Sequence, residues 1–455
     1  MNLRHFKLSF GMAPFLMLVI CVLTLAYIIA HPIKKKNNAV VFWTFAKTHR
    51  DAYLASLPEF VKSHQGLNVD FQLVDDSAVV QRLKAAFWAD LEVPDMFETP
   101  IESAGSFFSG SLKDIGLMDI TDKVHQSGLW DRVVQSRFAP YSSRGHIFGL
   151  PHDLHPLMIA YRRDIFEREG IDVNTIETWD DFVNIGHRLT KDIDGDGVID
   201  RYMLELMPDS ATMLLPLLIQ RGGGLFDSDG NLIMDDKNAC ETLMWYVRQL
   251  SGCNKIAGSM GSATVGQMLT QAVEKDYFVC LFMPDWRTKV IETDIPRMAG
   301  KFKLMPLPRW SKGGPRTASW GGTMLGIPKN GSTELAWELA MKLYYDSNSL
   351  SQRFRQTNII PPLKEAWEQP AFKELRPFWS GQAIGSLYAN IADEIPVFYT
   401  SPYWSIAFDK LGEAMVICLS YYAKNQENNF SEFVEETLHD KADYVRAQIN
   451  RNPYN

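Results

Sequence analysis

The segments "VVFWTF" (Val40–Phe45), "RDAYLASLPEFVKSH" (Arg50–His64), "NVDFQLV" (Asn68–Val74), "AVVQRLKAAFWADL" (Ala78–Leu91) and "PDMFET" (Pro94–Thr99) follow one another almost without interruption. The short β-branched and aromatic runs predict strands, and the longer polar-apolar stretches between them predict helices. Strand, helix, strand in this order means βαβ units and a parallel sheet. A second series begins beyond "GHIFGLPHD" (Gly145–Asp153), with strands at "LMIAYRRDIF" (Leu157–Phe166) and "YFVCLFMPDW" (Tyr277–Trp286). Between them "ETWDDFVNIGHRLT" (Glu177–Thr190) predicts a helix whose Thr178 and Asp181 form a capping pair. "GGGLFDSDGNLIMDD" (Gly222–Asp236) predicts a hairpin turning at Asp229-Gly230. Two α/β lobes in one chain place a ligand cleft between them.

The length of 455 residues suits more than one domain. A net charge of -8 argues against nucleic acid as a partner, because phosphate binding needs a basic surface. Phe10–Ala30 is an uncharged apolar run preceded by Arg4 and Lys7, long enough to span a bilayer. It predicts an export signal, read as an uncleaved anchor, although Lys34–Lys36 on its far side blur the charge rule and cleavage after Ala26 or Ala30 is the alternative. The remaining chain is expected on the periplasmic or extracellular side. Cys21 falls in the apolar run, and a Cys240–Cys253 disulfide is conceivable there, with buried free thiols the plainer expectation.

"DIDGDGVID" (Asp192–Asp200) has the spacing of a calcium loop, with Asp192, Asp194, Asp196, the Val198 carbonyl and Asp200 as ligands and Gly197 at the turn. Its twelfth position is Met203, which offers no oxygen, so closing the cage needs Glu205 or another segment. The expected role is a local structural staple, with no cofactor required for function.

Further landmarks are "GHIFGLPHDLHPLMIAYRRDIFEREGID" with "TWDDF", then "FMPDWRTKVI", "FKLMPLP", "ASWGGTMLGIPKNGSTELAWELAMKL", "IIPP" and "SPYWSIAFDKLGEAM". Their order, from Val40 to the last helix, resembles the extracellular solute-binding proteins of ABC importers, in the oligosaccharide-binding, maltose-binding-protein-like branch. The resemblance implies a type II two-lobed α/β fold crossed three times by the chain, near Leu150, Phe302 and Arg355. Residues 1–39 then form the signal or anchor segment, 40–150 with 303–355 the first lobe, and 151–302 with 356–455 the second. It also implies a monomer that binds an oligosaccharide between the lobes and delivers it to the transmembrane subunits of an ABC permease. The acidic loop becomes a decoration of the second lobe.

A sugar presents an apolar face of C–H groups and an edge of hydroxyls, so its site needs flat aromatics and hydrogen-bonding side chains. Candidates at strand ends are Trp43 and Phe45, Glu98 and Thr99, then His152, Asp153 and His155 at the first crossing. Asp285, Trp286, Trp320, Gly321, Gly322, Tyr403 and Trp404 complete the set. By the resemblance, Trp286 and Trp404 fall where the family places stacking aromatics, while "SATML" (Ser210–Leu214) stands where a relative carries an aromatic platform. His152 and His155 lack matched metal ligands nearby in sequence. A carbohydrate hydrolase working through two carboxylates and a tethered ligand sensor are the competing readings; GxSxG, HExxH and P-loop patterns are absent.

Overall fold

Strand β1 (Ala39–Thr44) buries alternate side chains, Val40, Phe42 and Thr44, as a strand with one covered face must. The computed structural model describes residues 12–30, 39–64, 66–261 and 265–451. β1 runs parallel to β2 (Asn68–Leu73) and β3 (Met96–Pro100), joined by helices at Lys47–Ser63 and Asp76–Ala89. The first sheet is completed by Gly149–Pro151 (β4) and Thr323–Gly326, in the order β2, β1, β3, Thr323–Gly326, β4. Thr323–Gly326 is antiparallel to both of its neighbours, so this sheet is mixed where an all-parallel one was expected.

The second sheet contains β5 (Leu157–Arg162), β6 (Tyr202–Glu205), β7 (Ala257–Gly258), β8 (Phe278–Pro284) and β9 (Phe302–Pro306), in the order β9, β5, β8, β6, β7. β5 and β8 are buried along their whole length, which is why both read as apolar runs, β5 up to its last residue, Arg162. The helix Trp179–Leu189 starts with the expected capping box: Thr178 Oγ1 accepts from Asp181 N at 3.2 Å, and Asp181 Oδ2 accepts from Thr178 N at 2.9 Å. Such a cap contributes about 1 kcal/mol. The expected hairpin is reduced to one bridge, Phe226 to Leu232, because Phe226 also bridges Tyr399 and Asp227 closes the turn on Asn231 N at 2.8 Å.

Cys240 and Cys253 are free thiols, one buried and one exposed. Met12–Ala30 is a helix without a charged residue, and Phe15–Leu18 on it are exposed. Among the described residues no helix is long and apolar enough to cross a membrane. Arg4, Lys7, Phe10 and Lys34–Lys36 lie outside the described residues.

The chain changes sheets between β4 and β5, between β9 and Thr323–Gly326, and again near Ile360. The second change comes later than Phe302: Phe302–Pro306 is the edge strand of the second sheet, paired with β5, so the crossing occupies residues 307–322. The crossings lie side by side. Pro156 bridges Ser319, Trp320 N donates to His155 O at 3.1 Å, and Leu154 N donates to Ile360 O at 3.1 Å.

A buried charge network fastens them. His155 donates from Nδ1 to Asp285 Oδ1 at 2.6 Å and faces Asp153 Oδ2 with Nε2 at 3.2 Å. Asp153 also accepts from Thr323 N at 3.1 Å, and Asp285 from Ile360 N at 2.6 Å. Arg137, fully buried, donates to the Asp153 carbonyl at 3.2 Å, to Ser319 Oγ at 2.7 Å and to the Gly321 carbonyl at 3.3 Å. A Cβ on Gly322, at φ +156°, would lie 2.3 Å from Arg137 Nη2, so the second crossing passes the guanidinium only as glycine.

Burial works against the His155 charge, but Asp153 and Asp285 overcome it and push its pKa up to about 10. Its stabilising contribution is therefore complete below an unfolded pKa near 6.5 and disappears as pH rises through about 10. Urea-unfolding midpoints of the wild type are expected to fall between pH 7 and 10 more steeply than those of His155→Asn, a substitution that tolerates the left-handed backbone at φ +48°. Parallel slopes would show that His155 does not carry the charge.

Candidate functional site

Pro100 ends β3, and the chain turns directly into the short helix Ile101–Ala104. Ile101 N donates to Gly322 O at 2.8 Å, which fixes this helix against the second crossing. Gly105 follows, and a Cβ there would stand 2.4 Å from the Ser401 carbonyl oxygen. This close approach brings the first lobe against the start of the long helix Trp404–Asn425.

The space left between these parts is a cavity of about 160 Å³. Ile101 and Glu102 line it from the first lobe, Ser319, Trp320 and Gly321 from the second crossing, and Thr212, Leu215, Pro216 and Ile219 from the second lobe. Phe398, Trp404 and Phe408 close the remaining side. Glu102 is reached by solvent yet hemmed in by protein; desolvation, then Asp76, raises its pKa from the ordinary value. Trp404 is 3% exposed, packs on Phe398 at 5.9 Å between ring centroids, and keeps its Nε1–H buried with no acceptor among the described residues.

Of the expected site residues, Trp320, Gly321 and Trp404 line this cavity. Trp404 is not the open platform expected, because Phe398 and the neighbouring lobe cover it. Trp286 is half-buried behind the crossing and donates from Nε1 to Trp320 O at 3.2 Å. Gly322 packs against Arg137, and Tyr403 precedes the helix Trp404–Asn425 as a half-buried residue outside the cavity lining.

Asp153, His155 and Asp285 are buried interlobe framework and His152 is buried against His49 and Tyr344 of the first lobe, so none of them lines this cavity. Trp43 and Phe45 lie elsewhere: Trp43 Nε1 donates to Gln72 Oε1 at 3.1 Å, and Phe45 meets the edge of His49 at 5.9 Å. Thr99 is buried and donates to Asp76 Oδ1 at 2.8 Å. Glu98, also fully buried, accepts from the hydroxyls of Thr44, Tyr53 and Tyr344. Burial works against its charge, but His49 beside it holds the carboxyl down at about 2. Burial and Arg353 in turn push the neighbouring His152 down to about 3.

Glu102, Phe398 and Phe408 went unnoticed in the sequence, and Thr212 was met only as part of the "SATML" stretch. The expected strand-end pair stopped at Thr99, whereas Pro100 carries the chain on to Glu102; Phe408 could have been found one helical turn after Trp404.

In the acidic loop, Asp192, Asp194 and Asp200 bring carboxylate oxygens within 4.8 Å of one another, a group that does not include Asp196. Their oxygens already accept backbone N–H groups, among them Gly195 N and Gly197 N on Asp192 at 2.7 and 2.8 Å. Glu205 cannot close this cage, because it is buried on β6 and paired with Arg287 at 2.9 Å.

Residues 46–343 match the family described as bacterial extracellular solute-binding protein. The arabinooligosaccharide-binding protein of Bacillus subtilis is 24% identical over 391 residues, covering 84% of this chain and 88% of that protein. Among solved structures, the sugar-binding protein MalE of Xanthomonas citri superposes with a TM-score of 0.73 at 16% identity, over 91% of this chain and all of that one. The ABC transporter associated binding protein from B. animalis subsp. lactis Bl-04, in complex with β-1,6-galactobiose, gives a TM-score of 0.65 at 18% identity over 90% of this chain and 98% of that one. Two mixed sheets joined by three crossings, with a cavity at the seam, thus coincide with a family match over most of the chain, and this chain belongs to the bacterial extracellular solute-binding proteins.

Proposed function

We propose that this protein binds an oligosaccharide between its lobes and delivers it, chemically unchanged, to an ABC-type membrane permease. The observation that carries the reading is the interlobe cavity with Trp320 and Trp404 as apolar surfaces and Glu102 as acceptor. The indole N–H of Trp404 supports it further: a buried donor left unpaired costs about 1–3 kcal/mol, and a sugar hydroxyl oxygen satisfies it. At about 30 Å³ per water, 160 Å³ corresponds to roughly five waters. An oligosaccharide therefore enters only when the lobes part about the crossings, and closure buries it. The cavity lining offers a single carboxylate, Glu102, whereas hydrolysis of a glycosidic bond works through two.

Screening arabino-, galacto- and malto-oligosaccharides by thermal shift identifies the ligand, which at 100 times its dissociation constant stabilises by about 2.7 kcal/mol. Glu102→Gln is expected to weaken binding by about 10- to 100-fold, matching the ~1.5–3 kcal/mol of a charge-assisted hydrogen bond, with the unliganded melt nearly unchanged. Trp404→Ala should weaken binding and also cost ~3–5 kcal/mol of fold stability, since the ring is buried. Unaltered affinity in Glu102→Gln would place the site elsewhere.

Two attachments complete the proposal. The apolar N-terminal run keeps the protein on the outer face of the membrane as an uncleaved anchor; release from membranes by alkaline washing, with an N-terminus after Ala26 or Ala30, would refute this. The acidic loop holds calcium as a staple remote from the cavity. Chelation is expected to lower the melting temperature while sugar affinity stays constant, and an unchanged melt would rule the staple out.

A further inference from the structure

We infer that the first lobe contains a second, buried metal site, for Zn²⁺, formed by His49, Glu98 and His152. His49 comes from the first turn of the helix Lys47–Ser63, Glu98 from the middle of β3, and His152 from the start of the first crossing. One ligating atom from each lies within 4.8 Å of the other two, and all three residues are buried. Two imidazoles and one carboxylate are a zinc donor set that leaves a fourth tetrahedral position.

The geometry of each group fits a ligand. His49 Nδ1 and Glu98 Oε2 are 3.2 Å apart, about the edge of a tetrahedron with bonds of ~2.0 Å. His152 Nδ1 lies 2.8 Å from Asp153 Oδ2. Facing a carboxylate, that nitrogen carries the proton, so Nε2 presents a bare lone pair. Nε2 is buried and has no hydrogen-bond partner among the described residues.

A carboxylate fixing the far nitrogen of a ligating histidine is the outer-shell arrangement that orients metal ligands. Tyr53 and Tyr344 donate to Glu98 Oε1, and Thr44 to Oε2, which holds the carboxylate in place. A purely hydrogen-bonded cluster accounts for Glu98 but leaves His152 Nε2 without a role. Zn²⁺ satisfies it, and His49 changes from donor to ligand, moving its Nδ1 proton to Nε2 or to solvent. Bound there, the ion ties β3 to the root of the first crossing, away from the sugar cavity.

The test uses the full chain stripped of metal, without sugar. Calorimetric titration with Zn²⁺ is expected to show one ion per chain, and Co²⁺ to give the intense visible absorption of a tetrahedral nitrogen-oxygen site, displaced by Zn²⁺. His49→Gln and His152→Gln should each weaken Zn²⁺ binding at least 100-fold, and Asp153→Asn about 10- to 100-fold as an outer-shell change. The double variant Asp192→Asn/Asp194→Asn should bind Zn²⁺ as the wild type does. Absence of stoichiometric Zn²⁺ binding, an octahedral Co²⁺ spectrum, or loss of binding in the loop variant alone would overturn the assignment. Should the histidine variants fail to fold, the wild-type Co²⁺ spectrum still decides. Sugar binding is measured separately, so either proposal can fail without the other.

Discussion

A protonated imidazole held between two carboxylates joins the halves of this protein. His155 reaches Asp153 from one ring nitrogen and Asp285 from the other, all inside the molecule. Removing one partner of such an arrangement leaves an uncompensated charge in a medium that solvates it poorly. Each carboxylate is therefore bound to a further stretch of chain: Asp153 takes the backbone of Thr323, and Asp285 the backbone of Ile360. Electrostatics at one residue in this way fix the register of three chain crossings, and the crossings fix where the cavity lies.

Around that seam the contacts turn apolar. Phe97, Ile101, Trp320, Phe398 and Trp404 belong to one continuous buried cluster that runs from the first lobe into the second. Trp404 thus serves two purposes, as wall of a cavity and as part of the packing that holds the lobes together. Binding and stability are coupled at this ring, whereas Glu102, reached by solvent, contributes chemistry with little packing.

Local patterns in the sequence carried the first three parallel strands, the capped helix at Thr178 and the buried strands β5 and β8, because alternation, capping and apolar runs depend on near neighbours. The direction of Thr323–Gly326 was not legible, since a four-residue apolar strand reads alike in both orientations. Phe302–Pro306 was placed on the wrong side of a crossing for a related reason: an edge strand and the entry to a linker share one composition. The "HDLH" stretch looked like ligand chemistry because polar side chains usually mark a surface. Its partners, Asp285 and Ile360, are more than a hundred residues away, and the burial they impose cannot be read from spacing. Glu102 escaped notice because proline moved the useful side chain past the end of the strand.

The passage of Gly322 beside Arg137 has a consequence for the history of such sequences. A Cβ at Gly322 would intrude on the guanidinium, so the glycine cannot change while the arginine stays. A lineage that replaces the arginine by a smaller side chain also loses the ties to Asp153, Ser319 and Gly321. Only then is the glycine released from that clash, with Ile101 and Tyr141 still 3.0 and 3.1 Å from the Cβ position. The two sites should covary as a pair across descendants, and a chain that breaks the pairing must have found another way to hold its crossings together.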